Sequence, residues 1–405
     1  MPGLSRRTIL ASALVPIAVR ARAQDKVTLT LWHQHPEWKD RVVAILNRFE
    51  AEHPNIHVDL QEMPSPVYVP RMNTALAAGE APDIIAINAG PDLAAAGRAG
   101  YMIDLTGKLD VSSLTPAGLA ASKSGDKMFG VPIMGYFTVA LYYNRDIFDR
   151  QKLTPPKTWD EFFDTSKALK AKGISPVICP AQDGIIPAYT YMLAATGILG
   201  VDGFAALRRG ERKLTDPDVL KAAEFLRDTY AYVQPGAIGT GYTEGKALFA
   251  LGRGAMMEAG SADYSGFTQT NPKVNFGVVP FPAPPGGKPS TVTGMQGMFG
   301  INGKCKHMQE AVTFMQWMLG REPAQMVVDT ITLSTSREVA PKDNRVMQEM
   351  MAASQINDVP VWFQFAEVGK VYSTVAQRSQ ALFLGELSPA DFAKALQDTI
   401  VPAAT

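Results

Sequence analysis

Cysteine is nearly absent, with Cys179 and Cys305 the only two in 405 residues. A chain of this length does not depend on one bridge, and the two lie far apart in sequence, so two separate buried thiols are expected rather than a disulfide. Histidine is also scarce, at five residues. Beyond the N-terminus no uninterrupted apolar stretch has the length of a membrane-spanning helix. Neither repeats nor low-complexity segments occur. A basic excess is missing as well, because 39 Lys and Arg balance 39 Asp and Glu. Four of those cations, Arg6, Arg7, Arg20 and Arg22, fall in a segment expected to be removed, which leaves 35 basic against 39 acidic residues, a net charge near −4. That balance argues against nucleic acid or anionic lipid as a partner.

The segment expected to be removed is residues 1–23. Ser5-Arg6-Arg7-Thr8-Ile9-Leu10 is a twin-arginine pattern, a weakly apolar stretch follows, and Ala21-Arg22-Ala23 supplies an A-x-A cleavage site. A general secretory signal that happens to carry two arginines is the other reading, and Arg20 and Arg22 beside the cleavage site favour the twin-arginine route. Either route means export. No cysteine follows the cleavage site as a lipid attachment point, so a freely soluble periplasmic protein is expected.

What remains is a folded globular chain, 46% hydrophobic and 19% charged, and too long for one ordinary domain. Val27–Asn88 reads as a complete α/β unit. Val27-Thr-Leu-Thr-Leu31 alternates as a strand, and Pro36 to His53 has the spacing of an amphipathic helix through Val42, Ile45, Leu46 and Phe49, stopped by Pro54. Ile56, Val58 and Leu60 alternate again. A second helix runs toward Gly79, suited to a left-handed position past a helix end, and Asp83-Ile-Ile-Ala-Ile87 has the continuous apolar run of a parallel strand covered on both faces. Ligands of such sheets sit at the carboxyl ends of the strands, which selects the loops Trp32–Trp38 and Asn88–Asp92.

Further along, Thr138–Tyr143, Ser175–Ile178, Ala255–Glu258, Phe276–Pro280 and Thr293–Ile301 read as strands, the last punctuated by glycine. Thr158-Trp-Asp-Glu161 predicts a capping box, and Ser388-Pro389 predicts the start of the last helix. The strands return late in the chain, as when two lobes exchange segments.

No catalytic set assembles. His33, His35, His53 and His57 cluster in sequence, yet the last two fall at the opposite end of the sheet from the first two, so a zinc site, which needs convergent ligands, is not expected. Ser124-Gly-Asp-Lys127 matches S-x-x-K but sits in a turn, without the S-D-N or K-T-G partners of an acyl-enzyme. The glycines Gly294, Gly297 and Gly300 fit no phosphate-binding loop. Aromatics at strand ends and segment boundaries stand out instead: Trp32, Trp38, Tyr68, Tyr136, Phe137, Tyr264, Trp362 and Phe363. Such rings stack on the C–H face of a sugar while nearby polar groups take its hydroxyls, or they pack a core.

Several motifs in order carry a family resemblance: Leu29-Thr-Leu-Trp-His33, Phe49-Glu-Ala-Glu-His-Pro-Asn-Ile56, Ala75-Leu-Ala-Ala-Gly79, Pro82-Asp-Ile-Ile85, Leu141-Tyr-Tyr-Asn144, Pro155-Pro-Lys-Thr-Trp-Asp-Glu-Phe162 and Leu248-Phe-Ala-Leu-Gly-Arg-Gly-Ala-Met256. Together they resemble family 1 extracellular solute-binding proteins, the maltose-binding-protein-like components of ABC importers. The resemblance implies an α/β, two-lobed periplasmic binding protein fold of type II with crossing hinge segments. The expected division is 24–131 with 293–335 as lobe 1, and 132–292 with 336–405 as lobe 2.

By position the resemblance implies a cleft that receives Trp32, His33 and His35, and Asn88 to Asp92, from lobe 1. Lobe 2 contributes Tyr136, Gln182 or Asp183, and the Gly260-Ser261 turn. Gly294 to Gly297, including Gln296, lies on a crossing strand, with Arg337 near the late crossing. Trp38, Tyr264 and Trp362 join these as candidate stacking residues. The chain departs from the family pattern where Ala262-Asp263 delays the aromatic after Gly-Ser, and where Met295-Gln296 separates two crossing-strand glycines. Arg337 is the one obvious cation for the cleft, so a neutral sugar, oligosaccharide or polyol is preferred to glycerol 3-phosphate or a related organophosphate; an exported hydrolase is the rival of a different class. The expected partners are the ligand and the transmembrane permease, for a monomer without cofactor or metal, and Trp32→Ala is expected to weaken binding.

Overall fold

A computed structural model describes residues 26–402; the expected export signal lies outside the described residues. The chain opens with β1 (Val27–His33), α1 (Lys39–Glu52), β2 (Ile56–Glu62), α2 (Ser65–Ala78), β3 (Ile84–Ile87) and α3 (Pro91–Arg98). Gly79 closes α2 in the left-handed region at φ +74°, where a side chain would be strained. The expected helix from Pro36 is broken into a 3-10 turn, Pro36–Trp38, ahead of α1.

Beyond a short hairpin of Lys123–Ser124 and Lys127–Met128 come β4 (Tyr136–Asn144), β5 (Ser175–Val177), β6 (Gly254–Gly260), β7 (Phe276–Val279), β8 (Thr291–Met295), β9 (Met298–Ile301) and β10 (Asp358–Pro360). β1 to β10 divide between two principal sheets. The first runs β9-β3-β1-β2, parallel except for β9, and the second runs β10-β8-β4-β6-β5 with β7 also on β4. Each sheet has its own core. Leu29, Ile45, Phe49, Ile84, Ile85, Phe299 and Phe314 fill the first, and Tyr142, Phe162, Tyr191, Phe249, Phe281 and Trp362 fill the second. Cys179 packs in the second core and Cys305 against the first, and both are free thiols.

The stretch Thr293–Ile301, expected as one strand, is two. β8 pairs with β4 in the second sheet, and β9 pairs with β3 in the first. The chain changes sheet at Gln296-Gly297, where Gly297 takes φ +109°, a backbone conformation that favours glycine. The expected return to lobe 1 at residue 293 therefore falls inside β8.

Three crossing segments are laced together at this point. The Gln296 amide donates to Gly135 O at 3.0 Å, the Tyr136 amide donates to Leu333 O at 2.8 Å, and Thr335 Oγ1 donates to Pro132 O at 2.8 Å. Gly135 itself has φ +84°, and a Cβ there would stand 2.1 Å from Leu333 O.

Local signals held with small shifts. Thr158 Oγ1 accepts from the Glu161 amide at 3.2 Å, while the Glu161 carboxylate reaches one residue further back, to the Lys157 amide at 2.7 Å. Asn144, at the end of β4, caps a helix over Arg145–Gln151. The helix Ile185–Arg208 is long and apolar enough to cross a membrane, contrary to expectation, but it is interrupted at Gly200 and packs largely inside the second core. Ser124 and Lys127 face each other across a two-stranded hairpin, not on a helix.

Candidate ligand cleft

β1 ends at His33 and leads into the loop and 3-10 turn carrying His35 and Glu37. Alternation along the strand turns Trp32 one way and His33 the other. The His33 ring is buried over Phe299 (6.1 Å between centroids), and His35 stacks on the buried Trp38 ring at 4.1 Å. The His35 ring bonds Glu37 Oε1 through Nδ1 at 3.1 Å and the Gln296 side-chain amide through Nε2 at 2.6 Å. Burial, and then the neighbouring His35, hold His33 well below the usual histidine value, so it is neutral.

This loop faces lobe 2. Glu37 O accepts from Gln269 Nε2 at 3.2 Å. Burial pushes the Glu37 carboxyl up, but the His35 hydrogen bond, with the charges of His35 and Lys246, leaves it below its usual value. Lys246 lies on the helix Tyr242–Ala250, with Nζ 3.2 Å from Asp263 Oδ1 and 4.7 Å from the Tyr242 ring centroid. Asp263 Oδ2 accepts from the Gly260 amide at 2.9 Å and from the Tyr242 hydroxyl. The Tyr242 amide in turn donates to Asp183 Oδ2 at 2.8 Å.

Aromatic rings continue the same wall. Tyr189 lies 6.1 Å from Tyr372, Tyr372 lies 5.1 Å from Phe363, and Phe363 stacks with Phe137 at 6.4 Å. Each of the four is only partly buried. Burial first, then the charge of Asp263, raises the Tyr242 hydroxyl well above its usual value, and burial with Asp183 does the same for Tyr372. Both are neutral donors at physiological pH. Gly294 permits this packing, since a Cβ there would stand 2.7 Å from the Phe137 ring. Faces for C–H groups, phenolic donors and carboxylate acceptors thus lie together on one surface, which lobe 1 meets through Glu37. Among the described residues no three His, Cys, Asp or Glu side chains form a metal-binding group.

The expected site residues part company here. His35, Gln296 and Asp183 belong to this constellation, with Gly294 beneath it. Gln182 is exposed beside Gly241, one residue from Asp183. Asn88 and Asp92 bond each other at 3.0 Å on the lobe 1 side and line a separate trough. Trp32 lies under the Arg71 guanidinium, 4.7 Å from its ring centroid, against α2. Ser261 is fully buried, bonded to the Thr138 amide at 3.2 Å and Thr332 Oγ1 at 2.9 Å, and Tyr136 is bridged to Leu333. These two therefore hold the hinge.

Three expectations meet other surroundings. Tyr264 packs 5.9 Å from Phe276. Trp362 is fully buried against Phe204 and Tyr191, while its neighbour Phe363 lies beside Phe137 and Tyr372. Arg337 donates to Leu114 O at 2.8 Å and tethers the late crossing. The reading of the chain missed Tyr189, Tyr242, Lys246, Asp263 and Tyr372. Asp263 had one legible signal, its place three residues after Gly260, where it can cap the turn.

Two lobes, each with its own sheet and core, joined by three crossings and meeting over a wall of rings and hydrogen-bonding groups, define a hinge-bending binding protein. The family model for bacterial extracellular solute-binding proteins matches residues 35–325, and the chain belongs to that family. It is 26% identical over 335 residues to the multiple sugar-binding protein of Streptococcus mutans, covering 79% of this chain and 78% of the relative. It is also 26% identical over 325 residues to the melibiose/raffinose/stachyose-binding protein of Bacillus subtilis, covering 76% and 74%. Among solved structures, RafE in complex with raffinose superposes with a TM-score of 0.80 at 24% identity, over 92% of this chain and 98% of that one. The GacH receptor of Streptomyces glaucescens superposes with a TM-score of 0.78 at 21% identity, over 92% and 97%.

Proposed function

We propose that this protein is the carbohydrate receptor of an ABC importer. The observation that carries the reading is the lobe 2 wall, where Phe137, Phe363, Tyr372 and Tyr189 stand beside Tyr242, Asp183 and Asp263. Sugars present alternating C–H faces and hydroxyl edges, and such a wall offers both complements. Its one cation, Lys246, is paired with Asp263, which disfavours an organophosphate; Arg337 is tied to backbone elsewhere. The sugar-binding names of two relatives agree with this reading. The receptor works in the periplasm after twin-arginine export, as a soluble monomer, and hands its ligand to the permease without altering it.

Thermal unfolding of the mature chain against neutral sugars, polyols, glycerol 3-phosphate and peptides tests the class, because a ligand bound only by the folded state raises the midpoint. At least one neutral sugar is expected to raise it. A shift with glycerol 3-phosphate or a peptide alone overturns the class, and turnover of glycosides by the pure protein overturns the binding-only role.

A further inference from the structure

Two titratable side chains meet inside lobe 1, where β1 ends on His33 and β2 ends on Glu62. The two are register partners on parallel strands, with His33 Nδ1 3.9 Å from Glu62 Oε1 and side chains only 2% and 5% exposed. Neither is satisfied. His33 Nε2 and Glu62 Oε1 are buried without a hydrogen-bond partner among the described residues. What His33 does hold is the cleft loop. The His35 amide donates to His33 Nδ1 at 3.4 Å, a long bond, so Nδ1 is the acceptor and the proton of the neutral ring is on Nε2. The His35 ring in turn reaches the side chain of Gln296, at the change of sheet.

The other titratable groups that act on the pair come from the loop and the start of α1. Lys39, Glu37 and Asp40 act on Glu62, and His35 acts on His33. β9 presents the apolar Phe299 ring, and the 3-10 turn presents Trp38, 5.4 Å from His33 between centroids. α2 sends Arg71 to Met63 Sδ at 4.0 Å and over Trp32. Burial, opposed by Lys39 and helped by Glu37 and Asp40, pushes the Glu62 carboxyl up to about 7. Glu62 therefore changes charge near neutrality, beside a ring that burial keeps neutral.

We infer that His33 and Glu62 form a pH-sensitive switch, which holds the cleft loop at the His35 amide while Glu62 is protonated and releases it when Glu62 is ionised. On ionisation Glu62 gives one proton to solvent, and its carboxylate then faces the lone pair of His33 Nδ1. A buried carboxylate needs a donor. His33 supplies one by giving up its Nε2 proton and taking one at Nδ1, with no net change on the ring. Nε2 has no partner to lose, and the new Nδ1–H donates to Glu62. The His35 amide then loses its acceptor, and the His35 ring transmits the change to Gln296 on the crossing strand. The switch lies in the lobe 1 loop and stands whichever ligand the cleft takes.

Imidazole NMR with nitrogen labelling of the mature chain, between about pH 6 and about pH 8, reads the His33 tautomer directly. Wild type is expected to carry the proton on Nε2 at the lower pH and on Nδ1 at the higher, with the change centred near pH 7. Over the same range the His35 amide is expected to lose about tenfold in protection from hydrogen exchange, corrected for its intrinsic rate, as one hydrogen bond is given up. Glu62→Gln keeps the uncharged form and is expected to hold the Nε2–H tautomer and constant protection throughout. A single tautomer in wild type, an imidazolium at the lower pH, or constant protection of the His35 amide would each overturn the switch. Wild type decides these outcomes even where the variant does not fold. A Glu62→Gln protein that switches as wild type does removes Glu62 as the trigger and overturns the switch as well.

Discussion

Gly90 of lobe 1 touches the backbone of Gln364 in lobe 2 so closely that a Cβ on Gly90 would stand 2.0 Å from the Gln364 carbonyl oxygen. Gly90 also sits at φ +80°, ψ −125°, a region all but closed to other residues. Gly90→Ala thus strains the loop and pushes the lobes apart together. Urea unfolding is expected to show a loss of about 1–3 kcal/mol, and calorimetry a fall in ligand affinity of at least about tenfold, one decade being about 1.4 kcal/mol. Unchanged affinity would separate this contact from closure.

Asp263 is the junction of the lobe 2 wall, accepting from the Gly260 amide and the Tyr242 hydroxyl while pairing with Lys246. Asp263→Asn removes the charge and puts an amide N–H where one acceptor was. A loss of about 1–3 kcal/mol in urea unfolding is expected for a buried group left mismatched, with weaker sugar binding. Lys246→Met should affect stability less.

Glu258 gives the protein a pH dependence. It is fully buried on β6, its oxygens have no hydrogen-bond partner among the described residues, and burial pushes it from the ordinary 4.5 up to about 7, although its own backbone amide and Thr190 pull the other way. An acid with a raised folded pKa keeps a proton that the unfolded chain gives up, so its contribution to stability is greatest below about pH 4.5 and declines as pH rises to about 7. Neutral His33 acts oppositely in acid, costing stability as pH falls below its ordinary 6.5. Glu258→Gln is therefore expected to be more stable than wild type by about 2 kcal/mol at pH 8, with the advantage gone by pH 4. Urea midpoints at the two pH values measure it.

Trp32 and Arg337 provide the contrast. Both stand out in the sequence as cleft residues, but Trp32 lies under Arg71 on the α2 side and Arg337 holds Leu114 O. Trp32→Ala and Arg337→Ala are expected to leave sugar affinity within about twofold, and Arg337→Ala to cost about 1 kcal/mol of stability through the lost hydrogen bonds. A large affinity loss in either would return that residue to the site.

What the chain disclosed followed from short-range physics. Alternation in β1 and β2, the unbroken apolar run of β3 and the glycine after α2 are local necessities, so lobe 1 could be traced residue by residue. The change of sheet at Gln296-Gly297 could not, because β8 and β9 are both apolar strands and only the glycine at φ +109° marks the break. The lobe 2 wall was hidden for a different reason. Tyr189, Tyr242, Asp263 and Tyr372 come from four separate elements, and each reads alone as an ordinary helix or turn residue. Trp362 and Phe363 show how narrow the margin is, since neighbours in one turn end up in the core and on the cleft wall.

The central claim is that a sugar is held on the lobe 2 aromatic wall. Titration calorimetry of wild type and Tyr372→Ala, with the sugar that raises the unfolding midpoint most, tests it directly. One binding site per chain is expected in wild type, and at least about tenfold weaker binding in the variant, the scale of a lost aromatic contact, with folding retained. Equal affinities in the two proteins would contradict the account.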